Sequence, residues 1–226
     1  MALRVAFDLD GTLADMDAAV VQIASELFGT SDEPGDRGNG DPRLGGGVPP
    51  ALDALTARQQ SELWGQVERT ENFWTCLAET EAGIVARIAA TAHARRWEVI
   101  FITTRPPTAG DTTQTQTQHW LEAHGFARPS VFVVTGSRGK VAEALTLDAV
   151  VDDQLDKAVD VAVESQARAI LVRDSVREEA LPSATRLGVK VVSSIGDAVT
   201  MLECLDDLKN GSGVLESIKR MLTFKG

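Results

Sequence analysis

Asp8 and Asp10 stand one residue apart at the end of the first apolar run, in Val5-Ala6-Phe7-Asp8-Leu9-Asp10-Gly11-Thr12-Leu13. Two carboxylates followed by a glycine turn gather negative charge where a strand ends, and a cation must offset their repulsion. Taken alone, Asp-x-Asp-Gly is also how an acidic, solvated turn reads. Three later apolar runs change that reading. Residues 97–102 lead into Thr103-Thr104-Arg105-Pro106, a lone Lys140 follows a third run, and Ala149-Val150-Val151 ends in Asp152-Asp153. Those groups suit phosphoryl transfer. A carboxylate nucleophile needs a metal to hold the attacked phosphate, and hydroxyl and cationic donors to take charge on the equatorial oxygens.

In this order and spacing the four groups resemble the ordered motifs of the haloacid dehalogenase (HAD) superfamily of phosphatases, over residues 3–153. The resemblance implies that Asp8 attacks phosphorus to form an aspartyl-phosphate. It implies that Asp10 protonates the leaving oxygen, then activates water, and lends its backbone carbonyl to Mg²⁺. Thr103 and Lys140 complete the implied catalytic set, the hydroxyl on a phosphate oxygen and the ammonium between that oxygen and the Asp8 carboxylate. Asp153 is implied to bind Mg²⁺ directly and Asp152 through water or a hydrogen bond, giving Asp8, Asp10, Asp152 and Asp153 as the metal set. Carbon-halogen cleavage in the wider superfamily needs neither Mg²⁺ nor the second acid, so Asp10 favours phosphoesters.

Taken singly, Thr103 is a residue closing a strand and Lys140 a surface helix start. Thr104 and Arg105 extend the motif and are assigned to substrate, Arg105 through its planar fork of donors. Phe73 and Trp74 could stack on an aromatic or apolar leaving group, with packing between cap and core as the alternative. Asn72-Phe73-Trp74, Phe101-Ile102-Thr103-Thr104 and Val151-Asp152-Asp153 together look most like the 5'(3')-deoxyribonucleotidase group, which implies nucleoside (deoxy)monophosphates as substrates. Two departures stand against that subgroup: a Gly-rich stretch at 35–47 where an ordered cap is expected, and Thr104-Arg105-Pro106 in place of Ser-Pro. Hydrolysis of phosphoglycolate or a sugar phosphate is the alternative. A non-catalytic module binding phosphate and Mg²⁺ is the alternative of another class, expected to have lost the nucleophile, acid or lysine, none of which is missing.

These groups must be positioned by strands. Short apolar runs at 5–7, 99–102, 131–134, 149–151, 169–172 and 189–192 alternate with helical patterns, which predicts an α/β fold with a doubly wound, mostly parallel sheet. In such sheets ligands gather outside the carboxyl ends of the strands, where all four motifs fall. The expected catalytic core is 1–15 and 86–208, with a small helical cap at 16–85 inserted after the first strand. Within that insertion, helical spacing marks 16–28, Thr56 and Gln59 form a capping-box pattern, and 30–50 reads as a flexible Gly-rich loop. Residues 209–226 read as a flexible joint and a helix that could dock on the core or on another subunit, leaving a homo-oligomer open.

The chain has 226 residues, 43% hydrophobic and 24% charged, the profile of an ordinary globular protein. A net charge of -11 repels nucleic-acid polymers, so small phosphorylated metabolites drawn in by Mg²⁺ and local cations are the expected partners. No run approaches a membrane span, and the start shows no export signal, so a cytoplasmic location with Cys76 and Cys204 as reduced thiols is expected. His93, His119 and His124 match no metal spacing and are expected on helices.

Overall fold

The computed structural model describes residues 2–29, 55–172 and 181–211; the expected Gly-rich loop and the tail helix lie outside them. Among the described residues six strands form one parallel sheet: β1 (Arg4–Phe7), β2 (Glu98–Thr103), β3 (Ser130–Val133), β4 (Ala149–Asp152), β5 (Arg168–Val172) and β6 (Lys190–Val192). Their spatial order is β3-β2-β1-β4-β5-β6. Strand β1 is central, pairing Phe7 with Phe101 on one side and with Val151 on the other. Side chains alternate across the pleat, and the two faces bury different sets. Val5, Phe7, Phe101, Val151 and Ile170 enter one apolar cluster, while Ala6, Ile100, Ile102, Val150 and Leu171 enter another. Both faces are therefore covered, which explains strands that read as continuous apolar runs.

Helices α3 (Ile84–Arg95), α4 (Thr113–Ala123) and α8 (Ile195–Lys209) contribute Ile88, Trp120 and Leu202 to the first cluster. On the opposite face, α5 (Arg138–Ala144), α6 (Leu155–Glu164) and α7 (Leu181–Arg186) contribute Ala142, Val161 and Ala184. Among the described residues, no helix is long and apolar enough to cross a membrane.

The insertion holds α1 (Met16–Phe28), α2 (Ala57–Arg69) and a 3₁₀ turn, Phe73–Thr75. Asp15 caps α1 by accepting from the Ala18 N–H, and α2 starts with a full capping box of Thr56 and Gln59. Leu63, Trp64 and Val67 of α2 are buried in the same cluster as Phe7 and Phe101, so insertion and sheet share one core. Polar contacts fix the joint. The Trp120 indole N–H donates to Leu77 O at 2.8 Å, the Trp74 indole N–H to Pro106 O at 3.0 Å, and the Trp74 backbone N–H to Gln116 Oε1 at 3.1 Å. Helix α4 begins at Thr113, well before its first large apolar residues, Trp120 and Leu121. The threonines of its first half are weak helix formers, yet Thr112 caps it and Gln116 and Thr117 are wholly buried against the insertion and Arg105.

Candidate active site

The sheet brings the carboxylates together at its carboxyl edge. Asp8 leaves β1 with its N–H donating to Val151 O at 2.9 Å, so the pairing with β4 continues through the residue that carries the side chain. Asp152 ends β4, and Asp153 follows. Oxygens of Asp8, Asp152 and Asp153 lie within 4.8 Å of one another. Asp8 and Asp152 are 7% and 1% exposed.

Local turns hold this arrangement. After Asp10 the chain doubles back so that the Leu13 and Ala14 N–H groups both donate to Leu9 O at 2.7 Å. Gly11 sits at φ +80°, and a Cβ there would fall 2.3 Å from Asp153 Oδ2. Only glycine serves at a positive φ with so close an approach. The Thr12 hydroxyl donates to Asp153 Oδ1 at 2.9 Å, and the Gln154 N–H to Asp152 Oδ1 at 2.9 Å.

Burial and crowding shift these acids together. Asp8 rises well above the ordinary carboxylate value, through desolvation first, then the charge of Asp152, with Arg138 opposing. Desolvation also pushes Asp152 up to about 6, Arg138 again opposing, and Asp153 up to about 7 with the Asp152 charge adding. Asp152 Oδ2 is buried without a hydrogen-bond partner. Clustered, desolvated carboxylates with a spare oxygen fit a hard divalent cation, which relieves repulsion and accepts oxygen ligands.

The cation nearest the cluster differs from the one expected. Lys140 is exposed and makes no ion pair among the described residues. Arg138 instead is buried, with Nη2 on Asp8 Oδ1 and Nε 3.6 Å from Asp152 Oδ2. Residues two apart on a helix point to nearly opposite sides, so α5 can turn only one of them inward. Asp160 of α6 settles the phase by accepting from the Ser137 hydroxyl and the Gly139 N–H. A signal was present in the sequence: Arg138 shares a helix face with the apolar Ala142, whereas Lys140 shares one with Glu143.

Asp10 lies beside the cluster, engaged elsewhere. Arg105 Nε donates to both Asp10 oxygens at 2.9 Å and Nη2 to Oδ1 at 2.7 Å, while the Thr103 hydroxyl donates to Oδ2 at 3.3 Å. Arg105, expected to meet substrate, is thus committed to Asp10. Its side chain is 0% exposed, with Trp74 4.8 Å away across the ring face. Thr104 is half-buried at the strand end. Phe73 and Trp74, expected to stack on a leaving group, are 4% and 0% exposed and pack edge to face. They are posts of the shared core, because an indole and a phenyl ring released to solvent would forfeit their burial. Beside Asp153 opens a cleft of about 610 Å³ whose lining residues include Thr12, Thr80, Ser193, Ser194, Asp15 and Asp17.

His93 and His119 lie within α3 and α4, and His124 caps α4, none of them near the cluster's ligand set. Cys76 is exposed and Cys204 is buried, and neither joins a disulfide among the described residues.

No protein-family model and no curated protein matches the chain. Solved structures do match. A HAD family hydrolase from Deinococcus radiodurans R1, solved with bound phosphate and sodium, aligns with a TM-score of 0.54 at 15% identity, covering 92% of this chain and 97% of that one. A candidate beta-phosphoglucomutase from Thermotoga maritima aligns at 0.52 and 18%, covering 89% and 98%. A conserved haloacid dehalogenase-like protein from Agrobacterium tumefaciens aligns at 0.51 and 14%, covering 91% and 99%. The architecture is therefore the α/β fold of HAD-like hydrolases.

Proposed function

We propose that the protein is a Mg²⁺-dependent phosphomonoester hydrolase working through an aspartyl-phosphate on Asp8. The observation that carries this reading is the cluster of Asp8, Asp152 and Asp153 oxygens within 4.8 Å, facing the buried guanidinium of Arg138. Asp8, Asp152 and Asp153 would hold Mg²⁺, with the Asp10 carbonyl as a further ligand; when bound, the ion neutralises the carboxylates and polarises the phosphate. Asp8 supplies the attacking oxygen. Arg138 Nη1 is buried without a partner and is available to an equatorial phosphate oxygen, a role that removes the cost of an unsatisfied donor. The Thr103 hydroxyl, whose 3.3 Å contact with Asp10 is long, would turn its single proton to the phosphate as a second donor, and Asp10 handles the proton.

For the substrate, a sugar or polyol phosphate is favoured over a nucleoside monophosphate. Burial of Phe73 and Trp74 removes the platform on which a base would stack, and the cleft beside Asp153 is lined mostly by polar residues, among them Ser193, Asp15 and Asp17, which suit a hydroxylated leaving group. Partners are then small phosphorylated metabolites, with no part for nucleic-acid polymers or membranes. A panel of phosphate esters assayed with Mg²⁺ and with EDTA tests this. Release of phosphate from sugar phosphates, lost in EDTA and in Asp8→Asn with folding intact, is expected. Turnover of nucleoside monophosphates alone would reverse the substrate assignment, and full activity of Asp8→Asn would remove the covalent step. An inert protein that still binds Mg²⁺ and phosphate would establish the non-catalytic alternative.

A further inference from the structure

We infer that Arg105 is a positioning residue, anchored by the insertion, that holds the Asp10 carboxylate for proton transfer and keeps it out of the metal cluster. This inference rests on the roles proposed above for Asp8 and Asp10. Its foundation is geometric. Arg105 Nε and Nη2 grip Asp10 at 2.7–2.9 Å, Nη1 donates to the Thr117 hydroxyl at 3.0 Å, and the guanidinium lies against Trp74 at 4.8 Å from the ring centroid. Each support is itself fixed: the Thr117 hydroxyl donates to Thr113 O at 2.7 Å, and Trp74 is held to Pro106 and Gln116. A planar fork held on its edge and its face has one pose, and it imposes that pose on the carboxylate it grips.

The alternative for Asp10 is plain. Free carboxylates near a divalent ion are drawn to it, and Asp10 lies only two residues from Asp8; yet the set of oxygens that can converge on one ion excludes it. Arg105 supplies the restraint. Oδ1 accepts from Nη2 at 2.7 Å and Nε at 2.9 Å, whereas Oδ2 accepts from Nε at 2.9 Å and only a long 3.3 Å contact from Thr103; Oδ2 is the less tightly held oxygen and the one assigned to the proton. In the first half-reaction the Asp8 oxygen bonds to phosphorus, the bond from phosphorus to the ester oxygen breaks, and Asp10 gives its proton to the departing oxygen. In the second, Asp10 takes a proton from water as the water oxygen bonds to phosphorus and the bond to Asp8 breaks, releasing phosphate.

The test separates the two steps by leaving group. Nitrophenolate departs from p-nitrophenyl phosphate without a proton, whereas the alkoxide of glycerol phosphate requires one. With Arg105→Gln, the first turnover of p-nitrophenyl phosphate should proceed at the wild-type rate and then stall, giving a burst of nitrophenolate near one equivalent per enzyme. First turnover of glycerol phosphate should fall on the order of 100-fold, the usual share of general acid catalysis. Equal losses for both esters without a burst, or no loss for either, would overturn the inference. Should Arg105→Gln fail to fold by circular dichroism, Thr117→Val carries the same test with a smaller burst expected, and its absence has the same meaning. If the wild-type protein forms no hydroxylamine-sensitive phosphoenzyme, the covalent mechanism fails instead, whatever Arg105 does.

Discussion

At the scale of single residues, the buried Arg138 and the exposed Lys140 make opposite predictions. Arg138→Ala should lower kcat/KM by about 10²–10³, as loss of a preorganised charged donor does, while Lys140→Ala should stay within a few-fold of the parent. A steady-state comparison of the two variants checks this; the reverse ranking would return the role to Lys140. The gathering of Asp8, Asp10, Thr103, Asp152 and Asp153 at the carboxyl edge of the sheet was legible in the sequence, because a strand end fixes where such side chains lie. The burial of Arg138 beside them was legible only faintly, in the helix face it shares with Ala142, because the phase of α5 is fixed by a tertiary contact with Asp160. Arg105 was recognised but given the wrong partner: its counter-charge lies 95 positions away in the chain. Phe73 and Trp74 failed as ligand contacts for a related reason, since exposure of an aromatic pair is decided by what folds over it.

At the scale of elements, the contact between α5 and α6 carries functional weight. A Cβ at Gly139 would lie 2.3 Å from Asp160 O and 2.5 Å from Glu164 Cβ, so the helices meet at backbone distance. Gly139→Ala must push α5 outward and move Arg138 with it. Such overpacking costs about 1–3 kcal/mol, which lowers Tm by roughly 2–4 °C for each kcal/mol at this chain length. Calorimetry should show that loss and kinetics a parallel fall in kcat; a variant with unchanged Tm would mean the helices separate freely. Strands and amphipathic helices were legible in the sequence, α1 with its bounds intact and α2 with its capping box. The first half of α4 was not, because its alternating Thr and Gln show no apolar periodicity, and the burial of Gln116 against Trp74 is a tertiary contact.

For the whole molecule, the three raised carboxyls tie stability to pH and metal. The folded state holds their protons more tightly than the unfolded chain, so their stabilising contribution is complete below about pH 4 and is lost as pH rises through about 6 and about 7. Metal-free protein should therefore lose on the order of 10 °C of Tm between pH 5 and pH 8, from a few kcal/mol of linkage. Mg²⁺ should restore that loss at pH 8 and do little at pH 5, where protons occupy the oxygens it needs. Asp153→Asn should raise the metal-free Tm at pH 8 and abolish the response to Mg²⁺. A scan in which Tm is flat with pH, or Mg²⁺ acts equally at both values, would contradict this linkage.

The place of β1 at the middle of the sheet also governs assembly during synthesis. Its flank toward β2 waits for a residue 94 positions later, as in the Arg4 to Glu98 pair, and its flank toward β4 for one 144 positions later, as in Arg4 to Asp148. At the ribosome's pace of about 5–20 residues per second, this apolar ribbon stays unpaired for several seconds or more. The nascent chain is thus sticky early and competent late, and a chaperone's demand should fall sharply once β4 has emerged.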